Sequence, residues 1–331
     1  MAKRRQVVVV TGASAGVGRA VVRRFARDGA SIGLIARGRE GLAGAAADVA
    51  SVGGTPLELP LDVADAAAID AAAARVESEL GPIDIWINVA FAGALMRFVD
   101  MTDAEFRRAT EVTYLGQVNG TRAALRHMRP RDRGSIVLVG SALAYRGIPL
   151  QAAYCGAKHA IQGFHDSLRC ELIAEQSRIH VAMVQLPGVN TPQFDWIRTN
   201  LPHRPRPASP PYQPEIAAEA IHYAAHHRRK SIKVGWPTWE AIWGDAVASP
   251  LLDHYLAATG ISGQQDTALP PPTRDNLFEP VPGDHGAHGR FDAGARTRSP
   301  LLWASMNRLP LLVAAGTLAL GGAIWRWRRL S

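Results

Sequence analysis

Tyr154-Cys155-Gly156-Ala157-Lys158 sets a phenol and an ammonium four residues apart, so on a helix both lie on one face. A free tyrosine titrates near ~10, too high for easy proton exchange at neutral pH. A neighbouring ammonium favours tyrosinate and lowers that value. Tyr154 then reads as a general acid for ketone reduction or a general base for alcohol oxidation, with Lys158 as its partner. Ser141 closes an apolar run upstream, and its hydroxyl is placed to hold the substrate oxygen. A Tyr-x-x-x-Lys pair by itself is usually a surface pair, so its meaning depends on what surrounds it.

The sequence Thr11-Gly12-Ala13-Ser14-Ala15-Gly16-Val17-Gly18 provides that context. It falls between a β-branched run and a helical segment. Small residues at Gly12, Ser14, Gly16 and Gly18 let backbone approach a pyrophosphate, and the helix start at Val17 turns N–H groups toward the anion. About twenty residues on, an NAD site would offer an acid to the ribose hydroxyls. This chain has Arg37-Gly38-Arg39 instead. An arginine there pairs with a 2′-phosphate, which favours NADP(H) over NAD(H). Asp62 follows a third apolar run, where an adenine ring would lie, and reads equally well as a helix N-cap.

The elements that must carry these residues alternate. Apolar runs at 7–11, 31–36, 56–61, 83–89, 135–140, 179–186 and 231–234 read as strands. Helical periodicity covers 18–28, 40–52, 66–80, 152–174 and 215–227, and Thr102 with Glu105 makes a capping box that opens a single long helix to about Met128. Such alternation specifies an α/β fold: a Rossmann-type doubly wound parallel sheet of about seven strands with helices on both faces. We divide the chain into a catalytic domain at 1–235, a partly irregular extension at 236–305, and a hydrophobic membrane-associating segment at 306–331.

The ordered set TGASAGVG (11–18), Asp62-Val63, Asp84 with Asn88-Val89-Ala90, Ser141, Tyr154 to Lys158 and Pro187-Gly188-Val189-Asn190-Thr191 resembles the short-chain dehydrogenase/reductase family over about residues 5 to 235. The resemblance implies an NAD(P)(H) cofactor, Tyr154 as the acid/base, and Lys158 also on the nicotinamide ribose. It further implies Asn88 on the cofactor side, Pro187, Gly188 and Thr191 bordering the nicotinamide, and a homo-oligomer paired through helices near 103–128 and 152–174. Two features depart from the family pattern. Asn-Asn-Ala-Gly is replaced by Asn88-Val89-Ala90-Phe91, and Thr113 stands where an Asn often supports a water linked to the lysine. These departures support a rival reading, a cofactor-sensing or scaffold protein; an epimerase or dehydratase shares the same motifs.

Lys and Arg number 37 against 29 Asp and Glu, a net +8, yet the basic residues are scattered and form no nucleic-acid motif. Two cysteines, Cys155 and Cys170, offer neither a disulfide framework nor metal-ligand spacing, and they suit a cytoplasmic catalytic domain. His203, His222, His226 and His227 have no metal-site pattern. The lid region, 190–214, offers Phe194, Trp196, Ile197, Leu201 and Tyr212 as apolar surface, with Arg198, Arg204 and Arg206 as charged options. A small hydrophobic substrate and plain lid packing are equally good readings of it. Leu309–Trp325 is almost wholly apolar, preceded by Arg308 and followed by Arg326, Arg328 and Arg329, and it reads as a membrane segment. The larger basic cluster would draw the C-terminus to the cytoplasm, against a cytoplasmic catalytic domain. Shallow insertion or a tail anchor removes that conflict.

Overall fold

The computed structural model describes residues 4–208, 210–308 and 310. Its centre is a seven-stranded sheet built from β1 (Val7–Thr11), β2 (Ser31–Ala36), β3 (Thr55–Pro60), β4 (Ile85–Asn88), β6 (Ser135–Ser141), β7 (His180–Leu186) and β10 (Ser231–Lys233). The order is β10-β7-β6-β4-β1-β2-β3, and every pairing is parallel. Short strands β5 (Ala94–Leu95) with β8 (Arg198–Thr199), and β9 (Arg204–Pro205) with β11 (Gln265–Asp266), lie outside it.

The β1 sequence Val-Val-Val-Val-Thr shows why the strands read as continuous apolar runs. Val8 and Val10 pack on one face with α1 (Gly16–Ala26), α2 (Arg39–Ser51) and α7 (Pro214–His226). Val7 and Val9 pack on the other with α3 (Ala66–Glu79), α5 (Gly116–Met128) and α6 (Ala152–Ala174). A strand covered on both faces has no polar alternation to display. The two prolines of β3 are tolerated because β3 is an edge strand.

The single helix expected from 102 to 128 is divided. The Thr102–Glu105 capping box opens α4 (Asp103–Thr110), a π-turn occupies Glu111–Leu115, and α5 follows. The wider turn is fixed from inside: Thr113 Oγ1 donates to the Ala92 carbonyl at 2.7 Å and accepts from the Ala92 amide at 3.2 Å. Such bulges frequently mark functional sites. The sequence pattern fades after Gly235, yet a helix, α8 (Gly235–Thr259), begins there; it has a kink at Ala248 just before Pro250. Apolar residues on all its faces remove the periodic signal. From Ser262 to Ser299 the extension has little regular structure, and α9 (Pro300–Met306) is the last named element among the described residues. The expected membrane segment, Leu309–Trp325, falls outside the described residues apart from Pro310. Among the described residues no helix is long and apolar enough to cross a membrane.

Candidate active site

The carboxyl ends of the central strands open into one cleft of about 420 Å³. Gly12, Ser14, Gly16, Val17, Gly18, Arg37, Asp62, Ser141, Tyr154, Lys158, Pro187, Gly188 and Thr191 all line it. The topology therefore brings together every site residue read from the sequence except Asn88. That residue is fully buried beneath the floor; its Oδ1 accepts from Trp86 Nε1 at 3.0 Å and its Nδ2 donates to Thr121 at 3.1 Å. The next three residues, Val89, Ala90 and Phe91, form the wall instead.

The glycine loop is shaped by contact with backbone. Gly12 has φ +69°, and a Cβ there would lie 2.9 Å from Ala90 Cα. A Cβ at Gly18 would lie 2.0 Å from the Gly12 carbonyl oxygen. Thr11 ties this loop to β4, its hydroxyl accepting from the Val89 and Ala90 amides at 3.1 and 3.2 Å. The α1 N-cap, Ala15, has no side chain able to satisfy the first-turn N–H groups. A cradle with room only for hydrogen, at a helix start whose Val17 and Gly18 N–H groups no N-cap side chain takes, fits a dinucleotide pyrophosphate.

Ser141, at the end of β6, accepts from Leu143 N at 3.1 Å. Tyr154 lies in the first turn of α6, its ring edge-on to Phe91 at 5.8 Å between centroids. Phe91 is one of the residues that depart from the family pattern, and it packs directly on the tyrosine. Lys158 is buried, and its Nζ donates to the Val139 carbonyl at 2.7 Å and lies 5.5 Å from the Tyr154 ring centre. The expected lowering of the tyrosine by its lysine does not occur here. Burial pushes the Tyr154 phenol up to about 12, against the opposing hydrogen bond of Ser141. Burial also pushes Lys158 down to about 7, so the ammonium charge that would stabilise tyrosinate is itself disfavoured.

The adenosine end has neighbours that the sequence did not announce. Arg37 donates to the carbonyls of Phe278, at 2.6 Å, and Asn276. Burial and nearby Arg108 hold its guanidinium below its usual range. Asp62 is held by Arg108 and accepts from the Ala64 amide at 2.9 Å; the N-cap of α3 is Asp65. Residues 276–292 cross the cleft as a strap. Asp284 pairs with the buried Arg19 at 2.8 Å, the Gly286 carbonyl accepts from Gly16 N at 2.9 Å, and Asp292 accepts from Asn190 at 2.7 Å. His285 packs tilted against Trp196, 4.5 Å between ring centres, and Asn276, Pro280, Val281, Gly283 and His285 form the outer wall. Nothing in the 270–300 sequence signals this role, because each contact joins residues far apart in the chain.

Asp284→Ala would leave Arg19 with one carboxylate, Asp48, and the Ser14 and Gly41 carbonyls among the described residues. Loss of a charge-assisted bond at a buried arginine is expected to cost about 1–3 kcal/mol. The variant should show a lower Tm and faster proteolysis within 276–292, whereas unchanged cleavage there would mean that Asp284 does not hold the strap.

Beyond Tyr154 the cleft turns apolar. Phe194, Trp196 and Ile197 line it as the lid reading expected, joined by Leu95, Leu143, Ile148 and, from α8, Pro237 and Ala241. Leu201 and Tyr212 do not: Leu201 packs beside Leu95 and Leu150, and Tyr212 lies buried against Gly235. Arg198 is spent on Glu105 and Asp275, Arg204 on the Pro270 carbonyl and Asp195, and neither they nor Arg206 line the cleft.

The chain matches the short chain dehydrogenase family profile over residues 6–201. It is 32% identical over 232 residues to the uncharacterized oxidoreductase YxnA of Bacillus subtilis, a match covering 70% of this chain and 65% of that protein. The chain spans between 44% and 65% of the lengths of the first curated relatives it matches. Among solved structures, a short-chain dehydrogenase from Streptomyces avermitilis superposes with a TM-score of 0.65 at 27% identity, covering 78% of this chain and 99% of that one. A metagenomic short-chain oxidoreductase in complex with NADP superposes with a TM-score of 0.59 at 25% identity, covering 69% and 96%.

Proposed function

The chain belongs to the short-chain dehydrogenase family, and on that premise we propose that it is an oxidoreductase that moves a hydride between NADP(H) and a hydrophobic carbonyl or alcohol. The observation that carries this reading is the meeting of Ser141, Tyr154 and Lys158 with the glycine loop in one cleft whose far end is apolar. Bound NADP(H) would supply or accept the hydride, held by the 12–18 loop, Arg37, Asp62, Lys158, Pro187, Gly188 and Thr191. Ser141 orients the substrate oxygen. Tyr154 Oη gives that oxygen a proton in reduction and removes it in oxidation. Lys158, anchored on the Val139 carbonyl, would hold the nicotinamide ribose beside the phenol. Phe91 and the lid residues Phe194, Trp196 and Ile197 exclude water and select apolar substrates.

NADPH consumption with a panel of apolar ketones and aldehydes tests the proposal. Tight NADPH binding without turnover on any of them would favour the scaffold reading instead. The cofactor preference rests on Arg37 at the end of β2 and on the NADP complex of the metagenomic relative. Arg37→Ala is expected to raise KM for NADPH about 10–100-fold, as for loss of a charge-assisted bond, while NADH is unaffected. An equal change for both cofactors would assign Arg37 to the strap carbonyls alone.

The same reading takes 1–235 as the catalytic domain, 236–305 as its extension, and 306–331 as a membrane-associating tail on a cytoplasmic, homo-oligomeric enzyme. Recovery of the full chain without detergent in the supernatant after lysis would remove the tail assignment.

A further inference from the structure

The outer side of α8 has no partner among the described residues. Trp236, Trp243 and Val247, before the kink at Ala248, and Leu251 and Tyr255, after it, are 56% to 81% exposed. The opposite row faces the protein: Ala241 lines the cleft, and Asp245 and Ser249 bind Arg146. An exposed apolar patch of this kind marks an interaction surface.

The geometry points to a lipid bilayer as the occupant: α8 lies in the membrane interface, with its outer row immersed and its inner row closing the cleft. Three observations select lipid. First, the exposed row is aromatic at both ends, as in interfacial belts where an amphipathic ring sits at headgroup depth. Second, α8 contains no lysine or arginine, and its three carboxylates are turned onto partners, Glu240 to Trp236 and Asp245 and Asp253 to Arg146. The face is therefore suited to neutral lipid and needs no anionic headgroup. Third, α8 packs against α9, which itself exposes Trp303 and Leu301, and the chain leaving α9 continues into the apolar run 309–325. Because Pro237 and Ala241 of α8 line the cleft, an apolar substrate dissolved in lipid reaches the catalytic end without crossing water.

This inference leans on the reading of residues 309–325 as a membrane segment, and the experiment separates the two. The full chain carrying Cys170→Ser, to remove the exposed thiol, receives a single cysteine at Val247 or Leu251, or at Arg75 on α3 as control, and an environment-sensitive fluorophore. Phosphatidylcholine vesicles with and without nitroxide lipids are added, and flotation in a density gradient reads attachment independently. Labels at 247 and 251 should be quenched at least about twofold by shallow nitroxides, as for a face buried roughly 5–10 Å, with the label at 75 unaffected. Flotation with unquenched labels at 247 and 251 would overturn the α8 assignment and leave the tail standing. Absence of both flotation and quenching would overturn both. Labels shielded without lipid, in a particle of doubled mass, would make α8 an interface between two copies and overturn the lipid assignment.

Discussion

Tyr154→Phe is expected to lower kcat by about two to four orders of magnitude, the usual contribution of a positioned proton donor, while NADPH affinity stays unchanged. The substitution removes only the hydroxyl. The ring that packs edge-on against Phe91 remains, so the wall of the cleft keeps its shape. The affinity measurement matters as much as the rate: loss of both together would mean a collapsed cleft, and retention of full turnover would sink Tyr154 as the proton-transfer group. The pH dependence has a definite sign. With the phenol pushed up to about 12, Tyr154 carries its proton across the neutral range, which is the form reduction needs. Oxidation needs tyrosinate, so its rate should climb as pH rises. Lys158, pushed down to about 7, loses its charge over the same climb and withdraws the help it would give to tyrosinate, making that climb shallower.

Gly18→Ala is expected to weaken NADPH binding by about ten- to a hundredfold, equivalent to the roughly 1–3 kcal/mol typical of overpacking a tight site. The added methyl would sit 2.0 Å from the Gly12 carbonyl oxygen and 2.7 Å from its carbon. Both are backbone atoms, so no side chain can swing aside, and the loop that presents the α1 N-terminus must be rebuilt. Gly163 on α6 is the control. A methyl there meets nothing within 4 Å, and Gly163→Ala should leave NADPH affinity untouched while gaining up to about 1 kcal/mol of helix stability. Equal affinities for the two variants in a fluorescence titration would refute the close-packed cradle.

What the sequence determined by itself is the part encoded at short range. Val7–Thr11 followed by a glycine loop and an amphipathic segment can hardly be other than strand, turn and helix. Repetition of that unit predicts the parallel sheet, and the sheet carries Gly12–Gly18, Ser141, Tyr154 and Lys158 to one edge because strand ends are where such a fold places its loops. Tertiary structure decided the rest. Whether Lys158 lowers Tyr154 depends on how deeply both are buried, which no i, i+4 spacing records. Asn88 was turned away from the cleft by Trp86 and Thr121, one of them 33 positions along the chain. Thr113 opened a π-turn because the Ala92 backbone meets its hydroxyl. The strap had no readable signal, since its contacts span up to 265 positions and use backbone carbonyls and single carboxylates whose types carry no period. Periodicity reports which face of an element is covered; it does not report what covers it, and at this site the covering segment comes from the far end of the described chain.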